Sequence, residues 1–170
     1  MLLRTLKPED AAAFLALRLR GLKECPEAFA SSYEEEVSTP LAEMSSRLQP
    51  KADRAIIGAF HDSALAGVVG LQREGMLKLA HKAFVWGMYV APEARGRGTG
   101  TLVLRAALEH AASSLGVRQV NLGVNTRNAA AVALYKKLGF EVYGLEREFL
   151  MVGGEYHDEY QMVCRLRSEV

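Results

Sequence analysis

The sequence predicts an α/β (α+β) fold in which a mixed, mostly antiparallel sheet of about seven strands is flanked by four helices. Three observations carry that expectation. Three apolar runs between residues 54 and 91 follow one another with short polar breaks, as in an antiparallel meander. Two amphipathic stretches, 100–115 and 127–139, then alternate with the strand-like VRQVNLGV, which is the order of βαβ elements. Residues 140–166 alternate around Gly153 and Gly154 like a long hairpin. The 170 residues, 49% apolar and 24% charged, suit one domain over 1–170 with a core that needs no staples.

In chain order, residues 2–6 (LLRTL) read as a short strand. Pro8, Glu9 and Asp10 open a helix through AAAFLALRLRGL, since the fixed proline φ and the acidic side chains both suit a first helical turn. CPEAFASSYEEEVST reads as a loop, and PLAEMSSRL as a shorter helix with Thr39 as its N-cap. RAIIGAFH (54–61) and ALAGVVGLQR (64–73) are strands joined by a tight turn at Asp62 and Ser63. AFVWGMYVA (83–91) is apolar enough to lie centrally, with Trp86 expected in the core. In the helix at 100–115, Leu104, Leu108, Ala111 and Leu115 recur at helical spacing, and Gly116 stands where a C-terminal glycine belongs. Gly139 closes the next helix in the same way.

Composition narrows the function classes. Lys and Arg (21) nearly balance Asp and Glu (20), and the basic RGRG lacks interleaved aromatics, so no nucleic-acid partner is expected. No stretch approaches about 18 uninterrupted apolar residues, and residues 1–21 lack the apolar core and cleavage site of a leader. The expectation is a cytoplasmic protein with no membrane partner. Cys25 and Cys164 have no ligand spacing, and His61, His81 and His110 are scattered, so no metal is expected.

Residues 88–100, MYVAPEARGRGTG, demand a reason, because three closely spaced glycines lose much entropy on ordering. Glycines before a helix let backbone approach a ligand, and the first turn of that helix offers unpaired N–H groups and partial positive charge. Arg95 and Arg97 can pair with phosphate oxygens, which makes the stretch a pyrophosphate cradle. The competing readings are a solvated basic turn, a dinucleotide site and a P-loop. Gly96-x-Gly98-x-Gly100 is not G-x-G-x-x-G, however, and no Gly-Lys-Ser/Thr is present.

Arg95-x-x-Gly98-x-Gly100, preceded by Met88-Tyr89-Val90 and Pro92, resembles the acyl-CoA pyrophosphate loop of the GNAT family of N-acetyltransferases. The segment from Asn128 through Ala131, Tyr135 and Gly139 to Phe140 is similar to the family's second cofactor motif, and the element order matches end to end. The resemblance implies a GNAT-like fold with acetyl-CoA as cosubstrate. It implies cofactor contacts at Met88, Tyr89 and Val90, at Arg95, Gly96, Arg97, Gly98, Thr99, Gly100 and Thr101, and at Asn128 and Tyr135. On a helix, Asn128 and Tyr135 return to nearly one face about 10.5 Å apart, with small Ala131 between them.

By the same resemblance, Tyr135 protonates the departing thiolate and Asn128 hydrogen-bonds the pantetheine arm. Met88 and Val90 offer strand backbone groups to it, and the Met88 N–H polarises the thioester carbonyl. The proton acceptor is open, because Val85 stands where many relatives carry a glutamate. Candidates are Glu34, Glu35 and Glu36, then Glu74, and the cluster His157, Asp158 and Glu159. The acidic loop with Asp158 or Glu159 is expected to recognise an acceptor's positive charge. The expected reaction is acetyl transfer to a primary amine of a small molecule by direct attack. The alternatives are a protein N-terminus or lysine as acceptor, or a CoA-binding module without turnover. A homodimer is left open.

Overall fold

The computed structural model describes residues 1–166, so the last four residues of the expected 1–170 domain lie outside the described residues. Seven strands form one sheet: β1 (Leu2–Thr5), β2 (Arg54–His61), β3 (Ala64–Arg73), β4 (Lys82–Val90), β5 (Gln119–Asn125), β6 (Glu141–Val152) and β7 (Glu155–Arg165). Their spatial order is β1-β2-β3-β4-β5-β7-β6. Every neighbouring pair is antiparallel except β4 with β5, which is parallel. Both hairpin turns fall where the sequence puts them. Asp62 and Ser63 take φ of 46° and 69°, and Gly153 and Gly154 of 58° and 83°, the left-handed pairs that match the twist of flanking strands.

Among the described residues five α-helices flank the sheet: α1 (Ala11–Glu24), α2 (Tyr33–Glu36), α3 (Leu41–Arg47), α4 (Thr99–Ser113) and α5 (Ala129–Lys137). The sequence reading has four. The additional one, α2, is a single turn inside the expected loop, held because Ser32 and Glu35 cap one another reciprocally. A second correction concerns α3, whose N-cap is Pro40 instead of Thr39; no side chain caps it. α4 ends two residues earlier than its apolar spacing suggests, and Leu115 reaches the core from beyond the helix, ahead of Gly116 at φ 64°. No helix among the described residues is long and apolar enough to cross a membrane.

The sheet separates two cores. On one face α4 and α5 bury Val103, Leu104, Ala107, Ala111 and Tyr135 against Leu71, Val85, Val120, Leu122 and Met162. On the other, α1 and α3 bury Phe14, Leu17, Leu22 and Met44 against Ile56, Phe60, Val68 and Tyr89. Leu104 and Leu71 are fully removed from water, each contributing roughly 1.5–3 kcal/mol of burial. Trp86 packs at the edge of the second core, only partly buried.

Its seat is Gly70, opposite it on β3, where a Cβ would lie 2.2 Å from the indole. Gly70→Ala therefore has to push the ring aside, and overpacking of this kind costs about 1–3 kcal/mol. A urea titration should show a lower midpoint with unchanged slope; an unchanged midpoint would mean that the indole moves freely.

Candidate active site

β4 and β5 pair at only three registers, Lys82 with Gln119, Ala83 with Val120 and Phe84 with Asn121, and then part. Past that point β4 carries a bulge. Between Gly70↔Trp86 and Val68↔Tyr89, β4 places both Gly87 and Met88 opposite the single Val69. Gly87 has φ 60°, a conformation in which a side chain would be strained. Beyond the bulge, Ala91 N donates to Ala66 O across the Gly67↔Val90 pair. That makes the pair a non-hydrogen-bonded one, so the N–H and C=O of Val90 point away from β3 into the gap.

The gap is part of a groove of about 490 Å³ that reaches both faces of the sheet. On the α4/α5 face it is lined by Thr101, Ala131, Leu134 and Tyr135, and on the α1 face by Cys25, Ala28, Phe29 and Trp86. Eleven of the twelve residues expected to touch a cofactor line it; Arg97 is the exception and lies exposed.

At the open end of β4, Gly96 and Gly98 have φ of 72° and 80°, and Gly98 is the N-cap of α4. These left-handed residues turn the chain so that the helix starts facing the groove. Leu102 N is the first α4 donor to find a backbone acceptor, Gly98 O at 3.0 Å. The N–H groups of Thr99, Gly100 and Thr101 have no backbone partner among the described residues. Thr99, buried, fixes the turn by donating its hydroxyl to Ala94 O at 3.0 Å. Gly100 lets α5 approach closely, since a Cβ there would lie 3.3 Å from Leu134. Arg95 folds back, with Nε donating to Val90 O at 2.9 Å and the guanidinium 5.5 Å above the Tyr89 ring. This end can bind a diphosphate, and the gap can take a chain with amide groups.

Asn128 is the N-cap of α5: its Oδ1 accepts from Ala131 N at 3.1 Å. Its amide nitrogen has no partner among the described residues, which leaves a donor at the groove wall. Tyr135 is buried against Phe140, ring centroids 5.8 Å apart. Its hydroxyl donates to the Met88 thioether at 3.7 Å, a soft and weak acceptor. Burial pushes the phenol up to about 12, so it stays protonated over the physiological range.

The expected acceptor-side residues separate. Val85 is buried in the α4-side core and brings no carboxylate. Glu34 is exposed and Glu35 is engaged with Ser32. Glu36 forms a bidentate pair with Arg18, which holds its carboxyl below the usual range. Glu74 continues β3 toward Lys82. His157, buried, meets Asn125 Nδ2 at 3.2 Å, and that amide also donates to Glu27 O. Asp158 accepts from Glu148 N and steadies a bulge in β6 at φ 54°. Of these, Val85 lines the groove, and Glu34, Glu35, Glu36, Glu74, His157 and Asp158 do not.

Glu159 does not line the groove either, but it leans over a residue that does. It lies opposite Asn125 on β7, and its Oε1 is 2.0 Å from where a Cβ on Gly123 would be. Gly123 lines the groove, so the carboxylate occupies the space that a β5 side chain would take there. Burial pushes the Glu159 carboxyl up, and Glu146 adds to the shift, while a hydrogen bond from Gln161 Nε2 at 2.8 Å opposes it. Gly87 and Gly123 are absent from the sequence expectation. Each is an isolated glycine inside a strand, the pattern that marks a bulge or a close approach.

Comparison with known proteins gives the family and the fold. The family model of the Acetyltransferase (GNAT) family matches residues 22–140. The N-alpha-acetyltransferase RimI of Mycobacterium tuberculosis is 36% identical over 106 residues, covering 62% of this chain and 63% of the relative. The L-amino acid N-acetyltransferase AaaT of Escherichia coli is 34% identical over 77 residues, 45% of this chain and 48% of the relative. The chain thus spans less than two thirds of the length of these curated relatives. Among solved structures, an acetyltransferase of the GNAT family from Streptococcus pneumoniae superposes with a TM-score of 0.88 at 28% identity, covering 97% of this chain and 99% of that one.

The Glu159 environment gives a pH prediction. A carboxyl raised in the fold contributes stability below its unfolded pKa, and that contribution is lost as pH rises through the folded value. Glu159→Gln should therefore stabilise the protein at neutral pH relative to wild type. Gly123→Ala should displace the flexible carboxylate into water and return its NMR titration midpoint to the ordinary glutamate range. An unmoved midpoint would show that Glu159 does not occupy that space.

Proposed function

The chain belongs to the GNAT acetyltransferase family, and from that premise we propose that it transfers an acetyl group from acetyl-CoA to a primary amine of a small molecule. The transfer is by direct attack in a ternary complex, with the whole chain acting as one N-acetyltransferase domain. The observation that carries the reading is the placement of the Tyr135 hydroxyl beside Met88, in the gap that opens toward the α4 N-terminus. Acetyl-CoA supplies the activated acyl group. The residues fit it: three free N–H groups of α4 suit the diphosphate, and the Val90 N–H facing the gap suits an amide carbonyl of the pantetheine arm.

Tyr135 acts as general acid toward the leaving thiolate. A phenol near 12 facing a model thiol near ~8.5 is uphill by about 5 kcal/mol if only the phenol is shifted. A thiolate released into the same dry groove is raised by the same desolvation, which narrows the gap. On the other side, an alkylamine of pKa ~10.4 is only about one part in a thousand neutral near pH 7.4, a deficit of ~4 kcal/mol. Glu159 serves as the proton acceptor or as the anchor for the protonated amine. Its raised carboxyl makes it a better base than an exposed glutamate.

The likeness to a relative named as an N-alpha-acetyltransferase supports a second reading, with a protein N-terminus as acceptor. A panel of small amines and short peptides, followed by CoA thiol release, separates the two. Release with none of them would leave only a CoA-binding module.

Tyr135→Phe keeps the packing on Phe140 and removes the acid. Turnover should fall roughly 10²-fold or more, the ordinary scale of general acid catalysis, with acetyl-CoA affinity little changed. Equal losses in both would make Tyr135 a structural residue. Glu159→Gln should lower kcat/KM and flatten the acid limb of its pH profile. In wild type that limb should lie above the ordinary glutamate range.

A further inference from the structure

A second cavity, of about 260 Å³, lies on the α1/α3 side of the sheet and shares Trp86 with the groove as a common wall. Its charged lining is Arg18, Glu36, Arg47 and Arg54. The sequence suggests an acidic loop waiting for a cation, but the structure reverses that sign. Glu36 is neutralised by Arg18 through Nε at 3.0 Å and Nη2 at 2.7 Å, with side chains only 13% and 10% exposed. Arg47 is paired with Glu43 on the outer surface. Arg54 has no carboxylate partner among the described residues, and its Nε is buried without any hydrogen bond. The cavity therefore carries excess positive charge and an orphaned buried donor, which native structures leave only for a reason.

Arg18 ties the cavity to the groove. Its Nη1 makes no hydrogen bond among the described residues and lies 3.2 Å from where a Cβ on Gly87 would be. Its guanidinium stands 5.2 Å from the Phe29 ring centroid, and Phe29 and Gly87 both line the groove. A donor thus stands free at the partition, beside the bulge that borders the gap.

We propose that this cavity receives a carboxylate carried by the acceptor, so that the acceptor is a small amino carboxylate of α-amino-acid type. Arg54 and the free Nη1 of Arg18 hold the carboxylate, and the amine passes Trp86 toward Gly123 and Glu159. The site disfavours polyamines by charge, since the unpaired, half-buried Arg54 guanidinium repels a second ammonium. The cavity takes one small molecule, enclosed between α1, α3 and β2. This inference deepens the acetyltransferase reading and rests on it.

The test compares free L-amino acids with the matching amino-acid amides, decarboxylated amines and spermidine, by CoA thiol release and by calorimetry in the presence of CoA. Wild type, Arg54→Met and Arg54→Lys are measured, with thermal denaturation to confirm that each folds. We expect the carboxylates to be preferred at least about 10-fold. Arg54→Met should raise the KM for the amino acid about 10- to 100-fold, the scale of a lost charged hydrogen bond, and abolish the preference over the amide. KM for acetyl-CoA and kcat at saturation should change little, and Arg54→Lys should restore part of the preference. Turnover of amides, amines or spermidine as well as of amino acids overturns the inference and leaves acetyl transfer standing. Amino-acid binding that depends on Arg54 but gives no turnover supports the inference and overturns acetyl transfer. No binding and no turnover overturns both.

Discussion

Parallel pairing between β4 and β5 lasts for three registers, and the rest of the architecture depends on where it stops. A sheet interior ordinarily satisfies its backbone groups from both sides, and a buried N–H or C=O left without a partner costs about 1–3 kcal/mol. Here the bulge at Gly87 and Met88 turns β4 out of step, and the backbone of Val90 faces a gap instead of a strand. The Val90 carbonyl is taken by Arg95, while its N–H stays available. A chain inserted between the strands would complete what the sheet leaves undone, which is strand addition performed in the middle of a sheet.

Because the gap runs through the sheet, the two faces can do different work. The α4/α5 face offers a helix N-terminus, small residues and a buried phenol. The α1/α3 face offers carboxylate, guanidinium and indole groups. Trp86 stands between the groove and the second cavity, seated on Gly70, and Glu159 leans over Gly123 from β7. Under the proposed reading the donor enters from one face and the acceptor from the other, so the two substrates never compete for the same surface. Three glycines in strand interiors, at 70, 87 and 123, make this arrangement sterically achievable.

The glycine turn and the α5 face were legible in the sequence because they are local. Gly98 and Gly100 announce a helix start whose free N–H groups border the groove, and Asn128 with Tyr135 lie on one continuous helical face. The hairpin turns were equally legible, since their strained φ values call for particular residues. The acceptor half was not, because its members come from α1, α2, β2, β4, β5 and β7, and no spacing rule connects Arg18 to Glu36 or Gly123 to Glu159. An acidic run such as Glu34 to Glu36 reads as negative until a distant arginine is seen to neutralise it. The short α2 was hidden for a related reason: one capped turn of four residues leaves no apolar periodicity to read.

The central claim is that the parted strands and the α4 N-terminus together hold coenzyme A. Amide hydrogen exchange with and without CoA tests it directly. The account predicts that CoA slows exchange at Met88 and Val90 and at Thr99, Gly100 and Thr101, while β1 and β2 are unchanged. Unaltered exchange at those five amides under saturating CoA, or protection confined to another face, would contradict it.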